Sequence, residues 1–303
     1  MPQSFIDTTP AIPSPTADLD RSSTVVGLKD LGGQTLVIKF GGSALLSKSS
    51  RQSLIAEAGA VAKSGMKVVV VHGGGPSVDA ALSRLGIPIE KIDGLRVTDA
   101  TTIRVVVDVL SNINKELVKD FEAIGAMALA VDGTQNNVFL CKKLLLKDKE
   151  GAPIDLGWVG DIQGVDLFAI SRSLDSGHIP VVAPIGMDNE GDFYNINADH
   201  ATLAVASALQ ANHLLFLTDV PGVLQDVRDP ASRIPQLSER DIESYIRQGI
   251  ISGGMLPKLS SCLSGIKKGI GQISIVDGRL EQAIIRGIIT PTDIGTLIED
   301  GKK

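Results

Sequence analysis

The 303-residue chain sets 29 Lys and Arg against 35 Asp and Glu, a net charge of −6, and its pI is near 5.3. That balance leaves no basic field for nucleic acid or an anionic membrane, and aromatic residues at 3% offer little to stack on bases. Two distant cysteines, Cys141 and Cys262, in no ligand spacing argue against a disulfide framework or a zinc cluster. With neither a long apolar run nor a secretory signal pattern, a cytoplasmic chain is expected.

Residues 1–34 are rich in Pro, Ser, Thr and Asp and are expected to be a partly disordered extension. Its apolar residues near Val25–Leu31 suggest a short docking segment. From Thr35 the pattern changes. Thr35–Phe40 is an apolar run ending at Gly41-Gly42, the signature of a buried strand and a tight turn. Ser50–Ser64 has helical spacing. Met66–Val71 is a β-branched run before Gly73-Gly74-Gly75, and Pro76–Leu85 starts a helix on a proline, where a missing N–H costs nothing. Val105–Ile124 predicts a long helix. Met127–Val131, Ile179–Ile185, His213–Leu217 and Gln272–Val276 predict strands, with helices between them, notably Asp199–Leu209 and Leu256–Lys268. Uninterrupted Val, Ile and Leu strands separated by helices predict a mainly parallel sheet covered on both faces. In such folds ligands sit beyond the carboxyl ends of the strands.

The polar residues in those turns carry the chemistry. Lys39 at the end of a buried strand is costly unless its ammonium meets an anion, although a snorkelling lysine fits the same pattern. Gly73–Gly75 before a helix offers N–H groups beside a positive helix end, a phosphate cradle or a plain tight turn. Arg96, in Gly94–Asp99, has the fork to clamp a carboxylate or to make a surface ion pair, and Thr98 or Asp99 would cap the next helix. Asn195, Asn197 and Asp199 alternate along an extended segment and would share one side, with helix capping the plain role for Asp199. Thr218–Leu224 turns through Pro221-Gly222 and suits a nucleotide or only a turn. Gly253–Lys258 sets Lys258 early in a helix, against the dipole, which favours an anion nearby. His72 alone fits a hydrogen-bonded structural residue. The chain has no Walker A pattern. Two lysines, an arginine, a glycine cradle and an orienting aspartate match phosphoryl transfer, which needs positioning and charge neutralisation more than covalent chemistry.

Together Lys39–Gly42, His72–Pro76, GLRVTD at Gly94–Asp99, NINAD at Asn195–Asp199, Leu217–Leu224, Gly253–Lys258 and Asp277-Gly278-Arg279 resemble the amino acid kinase family, in its order and across Thr35–Ile298. The resemblance implies an α/β fold, an open three-layer sandwich with a mainly parallel sheet in two lobes. Residues 35–210 would bind the acidic amino-acid substrate, and residues 211–303 the nucleotide. It further implies ATP-dependent phosphorylation of a side-chain carboxylate, with acetylglutamate the first choice. An aminoadipate derivative, or a non-catalytic nucleotide- or amino-acid-binding regulator, is the alternative.

By the resemblance Lys39, Lys258 and Asp199 are catalytic, and Gly74, Gly75, Arg96, Asn195 and Asn197 hold the substrate. Gly41, Gly42, Thr218, Asp219, Gly222, Leu224, Gly254 and Met255 line the nucleotide, and no residue is assigned to a metal. Mg2+ would enter with ATP, held by phosphates and water. The expected partners are a small acidic substrate and copies of the same chain in a dimer or hexamer, without nucleic acid or membrane. Two departures stand out. Val131–Asn136 replaces an SGKDG-like stretch. Gln282, Gly287 and Asp293 stand where arginine-inhibited members carry a histidine, a glutamate and a glycine, so arginine feedback is expected to be weak or absent.

Overall fold

The computed structural model describes residues 28–41, 45, 47–148, 150–251 and 255–300. The disorder expected of the extension therefore falls mostly outside the described residues. Its end docks as expected: Leu28 is buried in the core and Leu31 packs against it.

The chain opens with β1 (Thr35–Phe40), α1 (Lys48–Lys63), β2 (Lys67–His72) and α2 (Gly75–Arg84). A two-stranded hairpin, β3 (Lys91–Ile92) and β4 (Leu95–Arg96), leads into α3 (Ala100–Ala123) and β5 (Ala128–Val131). Next come β6 (Phe139–Lys147), β7 (Pro153–Val165), α4 (Phe168–Asp175), β8 (Ile179–Val182), β9 (Ile185–Met187) and β10 (Phe193–Asn195). Helix α5 (Ala198–Ala208), β11 (His213–Thr218), β12 (Gln236–Leu237), α6 (Glu239–Arg247) and α7 (Met255–Lys267) follow, then β13 (Gln272–Asp277), α8 (Ala283–Ile289), α9 (Pro291–Ile294) and β14 (Gly295–Ile298).

Eight strands form one sheet in the order β12-β14-β13-β11-β1-β2-β8-β5, parallel throughout except where β14 runs against β13. Strand β1 joins β2 to β11, so the sheet runs unbroken across the boundary expected at residue 210. Period-two alternation of apolar side chains feeds two cores. Val37, Val69, Val71, Leu214, Phe216 and Ile275 face one side, where Ala201 and Val205 of α5 and Leu259 and Cys262 of α7 pack. Leu36, Ile38, Phe40, Val68, Val70 and Leu217 face the other, against Leu54 and Ile55 of α1, Phe121 of α3 and Ile284 of α8. This is the three-layer α/β sandwich expected.

The structure corrects two readings. Ile179–Ile185 is two strands in two sheets: β8 pairs with β2 and β5, and after Ala183-Pro184 the chain passes to β9, which pairs with β6 and β10. The region between β5 and α5 is not simply helical. It carries the β6–β7 hairpin, closed with β9 and β10 into a small barrel.

Helix α8 is held from a distance. Glu57 of α1, 9% exposed, accepts from the Ile284 N–H at 2.9 Å. Burial pushes its carboxyl up to about 7, against the hydrogen bonds it accepts. The folded state therefore keeps a proton that the unfolded chain releases above about 4.5. This contribution to stability is full below that pH and is lost as pH rises through 7. Glu57→Gln should thus match the parent near pH 4.5 and exceed it at pH 8 by roughly 3 kcal/mol, from about 1.4 kcal/mol per pKa unit. Urea unfolding of both proteins at the two pH values checks this. His72, buried and pushed down to about 4, acts in the opposite direction in both proteins and cancels in the comparison.

Candidate active site

Three elements converge on one carboxylate. Lys39 stands near the carboxyl end of β1, Asp199 in the first turn of α5, and Lys258 in the first turn of α7. Lys39 Nζ lies 3.2 Å from Asp199 Oδ1, and Lys258 Nζ lies 3.1 Å from Asp199 Oδ2. Their side chains are 15%, 26% and 18% exposed for Lys39, Asp199 and Lys258, so each ammonium is largely out of water and needs that partner. Burial pushes the Asp199 carboxyl up, but the two ammonium groups outweigh it and hold it below the usual carboxylate range. Lys258 also sits over the Phe216 ring at 5.4 Å. The bridge carries a net charge of +1.

Asp199 does not cap its helix. Asn197 does, accepting from the N–H groups of Asp199 (2.8 Å) and His200 (3.3 Å). Its side-chain oxygen is therefore engaged, and its remaining donors are the amide N–H groups. At the start of α3 the cap is Asp99, accepting from Thr101 and Thr102.

A cavity of about 300 Å³ opens beside the bridge. Lys39, Gly74, Gly75, Arg96, Asn195, Asn197 and Asp199 all line it. Helix α2 begins there with no side-chain cap on Gly74, which leaves the orphan N–H groups of its first turn for a ligand. A Cβ on Gly74 would meet Leu110 and Ile113, whereas a Cβ on Gly75 would meet nothing within 4 Å. Packing thus explains the first glycine, whereas the second borders open space in the cavity. Gly75→Ala is expected to melt within about 2 °C of the parent, since alanine suits a helix start, while kcat/KM falls at least tenfold. A melting curve beside a turnover assay would check both.

Arg96 does not sit in an open loop. It ends a tight hairpin whose turn, Asp93-Gly94, has positive φ at both residues (50° and 79°), the pattern of a type I′ turn. Its side chain is 7% exposed and its Nη1 lies 2.6 Å from Asp79 Oδ1. Asn195 at the end of β10 donates to Thr98 Oγ1 at 3.3 Å, and that hydroxyl donates to the Arg96 carbonyl at 2.8 Å. The NINAD and GLRVTD segments are thereby tied together.

His72 is fully buried between the Gly73 carbonyl (2.8 Å) and Asn114 (3.2 Å), and burial keeps it neutral, a structural role.

Of the residues expected at the nucleotide, Thr218 and Asp219 lie outside this cavity, at the carboxyl end of β11. Thr218 Oγ1 donates to the Val220 carbonyl at 2.9 Å. Arg279 grips Asp277 through Nε (2.8 Å) and Nη2 (2.7 Å) and donates to the Asp219 carbonyl at 2.9 Å. The Asp277-Gly278-Arg279 motif therefore pins this loop. Gly222 has φ 126°, and a Cβ there would meet Thr296, so the turn itself calls for glycine. Leu224 bridges to Arg233, Met255 packs partly buried against the core, and Gly41 follows β1. Gly42 and Gly254 lie outside the described residues. Among the described residues no three His, Cys, Asp or Glu cluster to hold a metal ion, and no helix is long and apolar enough to cross a membrane. Asp79 and Lys91 escaped the sequence reading.

The sequence profile of the Amino acid kinase family matches residues 34–277. An acetylglutamate kinase of Heliobacterium modesticaldum is 40% identical over 89% of this chain and 94% of its own length. One from Clostridium acetobutylicum is 40% identical over 86% of this chain and 89% of its own. Among solved structures, an N-acetylglutamate synthase from Neisseria gonorrhoeae, complexed with coenzyme A and N-acetyl-glutamate, superposes with a TM-score of 0.80 at 21% identity. That match covers 92% of this chain and 62% of the synthase, and it speaks for the fold alone.

Proposed function

The chain belongs to the amino acid kinase family, and from that premise we propose that it transfers the γ-phosphoryl group of ATP to the side-chain carboxylate of N-acetyl-L-glutamate. The product is N-acetylglutamyl 5-phosphate, an intermediate for arginine biosynthesis. The observation that carries the reading is the bridge of Lys39 and Lys258 through Asp199 beside the cavity. The kinship with acetylglutamate kinases supplies the choice of substrate.

The chemistry follows from charge. A side-chain carboxylate with a pKa near 4.3 is already an anion at pH 7, so it attacks phosphorus without a general base. The barrier is repulsion between that anion and the triphosphate. Lys39 and Lys258 neutralise the phosphoryl oxygens in transit, and Asp199 keeps both ammonium groups aimed at one point. The N–H groups of Gly74 and Gly75 receive the phosphoryl and substrate oxygens. Arg96, Asn195 and Asn197 hold the rest of the substrate. Gly41, Gly42, Thr218, Asp219, Gly222, Leu224, Gly254 and Met255 surround ATP. Mg2+ entering with ATP would neutralise phosphate charge, held through the nucleotide and water. A closed, dry site also protects the acyl phosphate product. The enzyme works in the cytoplasm as a homo-oligomer, and the open β5 edge with exposed Met127 and Leu129 supports self-association.

The test is ADP release by purified protein with Mg-ATP and N-acetylglutamate, glutamate, aspartate or N-acetylaminoadipate. Turnover selective for N-acetylglutamate is expected. Turnover only with another acid would replace the substrate, and ATP binding with no turnover would replace the activity.

A further inference from the structure

The same cavity meets a second charged group, of which the reaction above uses only Arg96. Arg96 and Lys91 both line it; Asp79, which holds them, does not. Arg96 Nη1 lies 2.6 Å from Asp79 Oδ1, and its Nη2 donates to the Gly75 carbonyl at 3.3 Å. Lys91 Nζ donates to Asp79 Oδ2 at 2.9 Å. The carboxylate comes from α2 and both cations from the β3–β4 hairpin, so the contact fixes the hairpin against the helix that carries Gly75.

Two physical points decide what the arrangement does. A guanidinium 7% exposed needs a partner, and Asp79 supplies one while engaging only part of its five N–H donors. Two cations sharing one carboxylate leave a net charge of +1 at the cavity wall, which one further carboxylate would cancel. The Lys39–Asp199–Lys258 bridge leaves another +1. The proposed substrate has two carboxylates. One reacts beside the lysine bridge, and the other needs a cationic site of its own.

Resting on the reading of N-acetylglutamate as substrate, we infer that Asp79 is a positioning residue. It holds Arg96 and Lys91 together as a clamp for the α-carboxylate, the one that is not phosphorylated. Burial pushes the Asp79 carboxyl up, but Lys91 and Arg96 bring it below its ordinary value, so it stays ionised at neutral pH.

The test measures kcat and both KM values for the parent, Asp79→Asn, Asp79→Glu and Lys91→Met. It also measures the competitive inhibition constant of 4-acetamidobutyrate, which keeps the acetamide and the reacting carboxylate but lacks the α-carboxylate. Asp79→Asn should raise KM for N-acetylglutamate at least tenfold, with kcat within about twofold and KM for ATP unchanged. Asp79→Glu should recover part of the loss, and Lys91→Met should raise the same KM at least threefold. Inhibition by 4-acetamidobutyrate should be the same in all four proteins, which a general loss of structure would not produce. The clamp is overturned if Asp79→Asn leaves KM for N-acetylglutamate unchanged, or weakens the analogue equally. Lys91→Met removes only a half-exposed side chain, so an unchanged KM in that variant overturns the shared clamp even if Asp79→Asn fails to fold. A parent without turnover of N-acetylglutamate rejects the functional reading and the clamp with it. A working parent beside an unaltered Asp79→Asn rejects the clamp alone.

Discussion

Lys258→Ala is expected to lower kcat about a thousandfold while leaving KM for N-acetylglutamate within a few fold. The reason lies in where its charge is used. In a largely dehydrated site, removing one preorganised donor aimed at developing charge costs about 10²–10³ in rate. Lys258 is 18% exposed and stands 3.1 Å from the carboxylate that also holds Lys39. Its removal leaves Asp199 neutralising Lys39 alone, so the net charge of the bridge falls from +1 to zero. Transition-state stabilisation is lost more than substrate binding, and the effect belongs in kcat. Lys258→Arg should recover little, because a planar fork does not reproduce a compact ammonium. Single-turnover measurement of acyl phosphate formation separates this from slow ADP release. A kcat within tenfold of the parent would remove Lys258 from the chemistry.

Asp199→Ala should lose at least a hundredfold in kcat and, unlike the lysine variant, lose stability as well. Without the carboxylate, two mostly buried ammonium groups face each other uncompensated. Breaking a buried ion pair from one side costs about 3–5 kcal/mol, and a site still 26% exposed belongs at the low end of that range. The charges could be compensated by the triphosphate instead. Mg-ATP should therefore raise the melting temperature of Asp199→Ala more than that of the parent, although the variant is the poorer catalyst. The pH dependence has a definite sign. The folded carboxyl lies below its ordinary value, so its contribution is present above the unfolded value near 3.8 and disappears as pH falls through the folded one. Parent and variant should converge in stability only in strong acid. Equal stability at pH 7 would contradict the charge argument.

What could be read from the residues and what could not divide along physical lines. The central strands declared themselves because buried parallel strands are continuous apolar runs, as in Lys67–His72 and His213–Thr218. The β6–β7 hairpin did not. FLCKKLLLK breaks the two-residue period, and its pairing shifts register between Leu140 and Cys141 and between Lys143 and Leu145. The β3–β4 hairpin has only two residues per strand, too few to show alternation, although Asp93-Gly94 was a usable turn signal. In the site, Lys39 and Lys258 were conspicuous because a cation at the end of a buried strand, or at a helix start, is a local electrostatic cost. Asp79 raised no such flag. A carboxylate within an amphipathic helix looks like part of a solvated face until a hairpin folds back and sets two cations on it.

The position of β1 also bears on how the chain comes to be folded. It lies between β2, its sequence neighbour, and β11, and the Thr35 N–H reaches the Asn212 side chain 177 residues away. A nascent chain can assemble β1, β2, β8 and β5 while β11 is still unsynthesised, which leaves one side of β1 as an unpaired apolar edge. The helix that carries Lys258 to Asp199 follows β11 in the chain and arrives later still. Refolding protein should therefore regain helical signal well before it regains turnover, and the interval between the two is when it is most prone to aggregate.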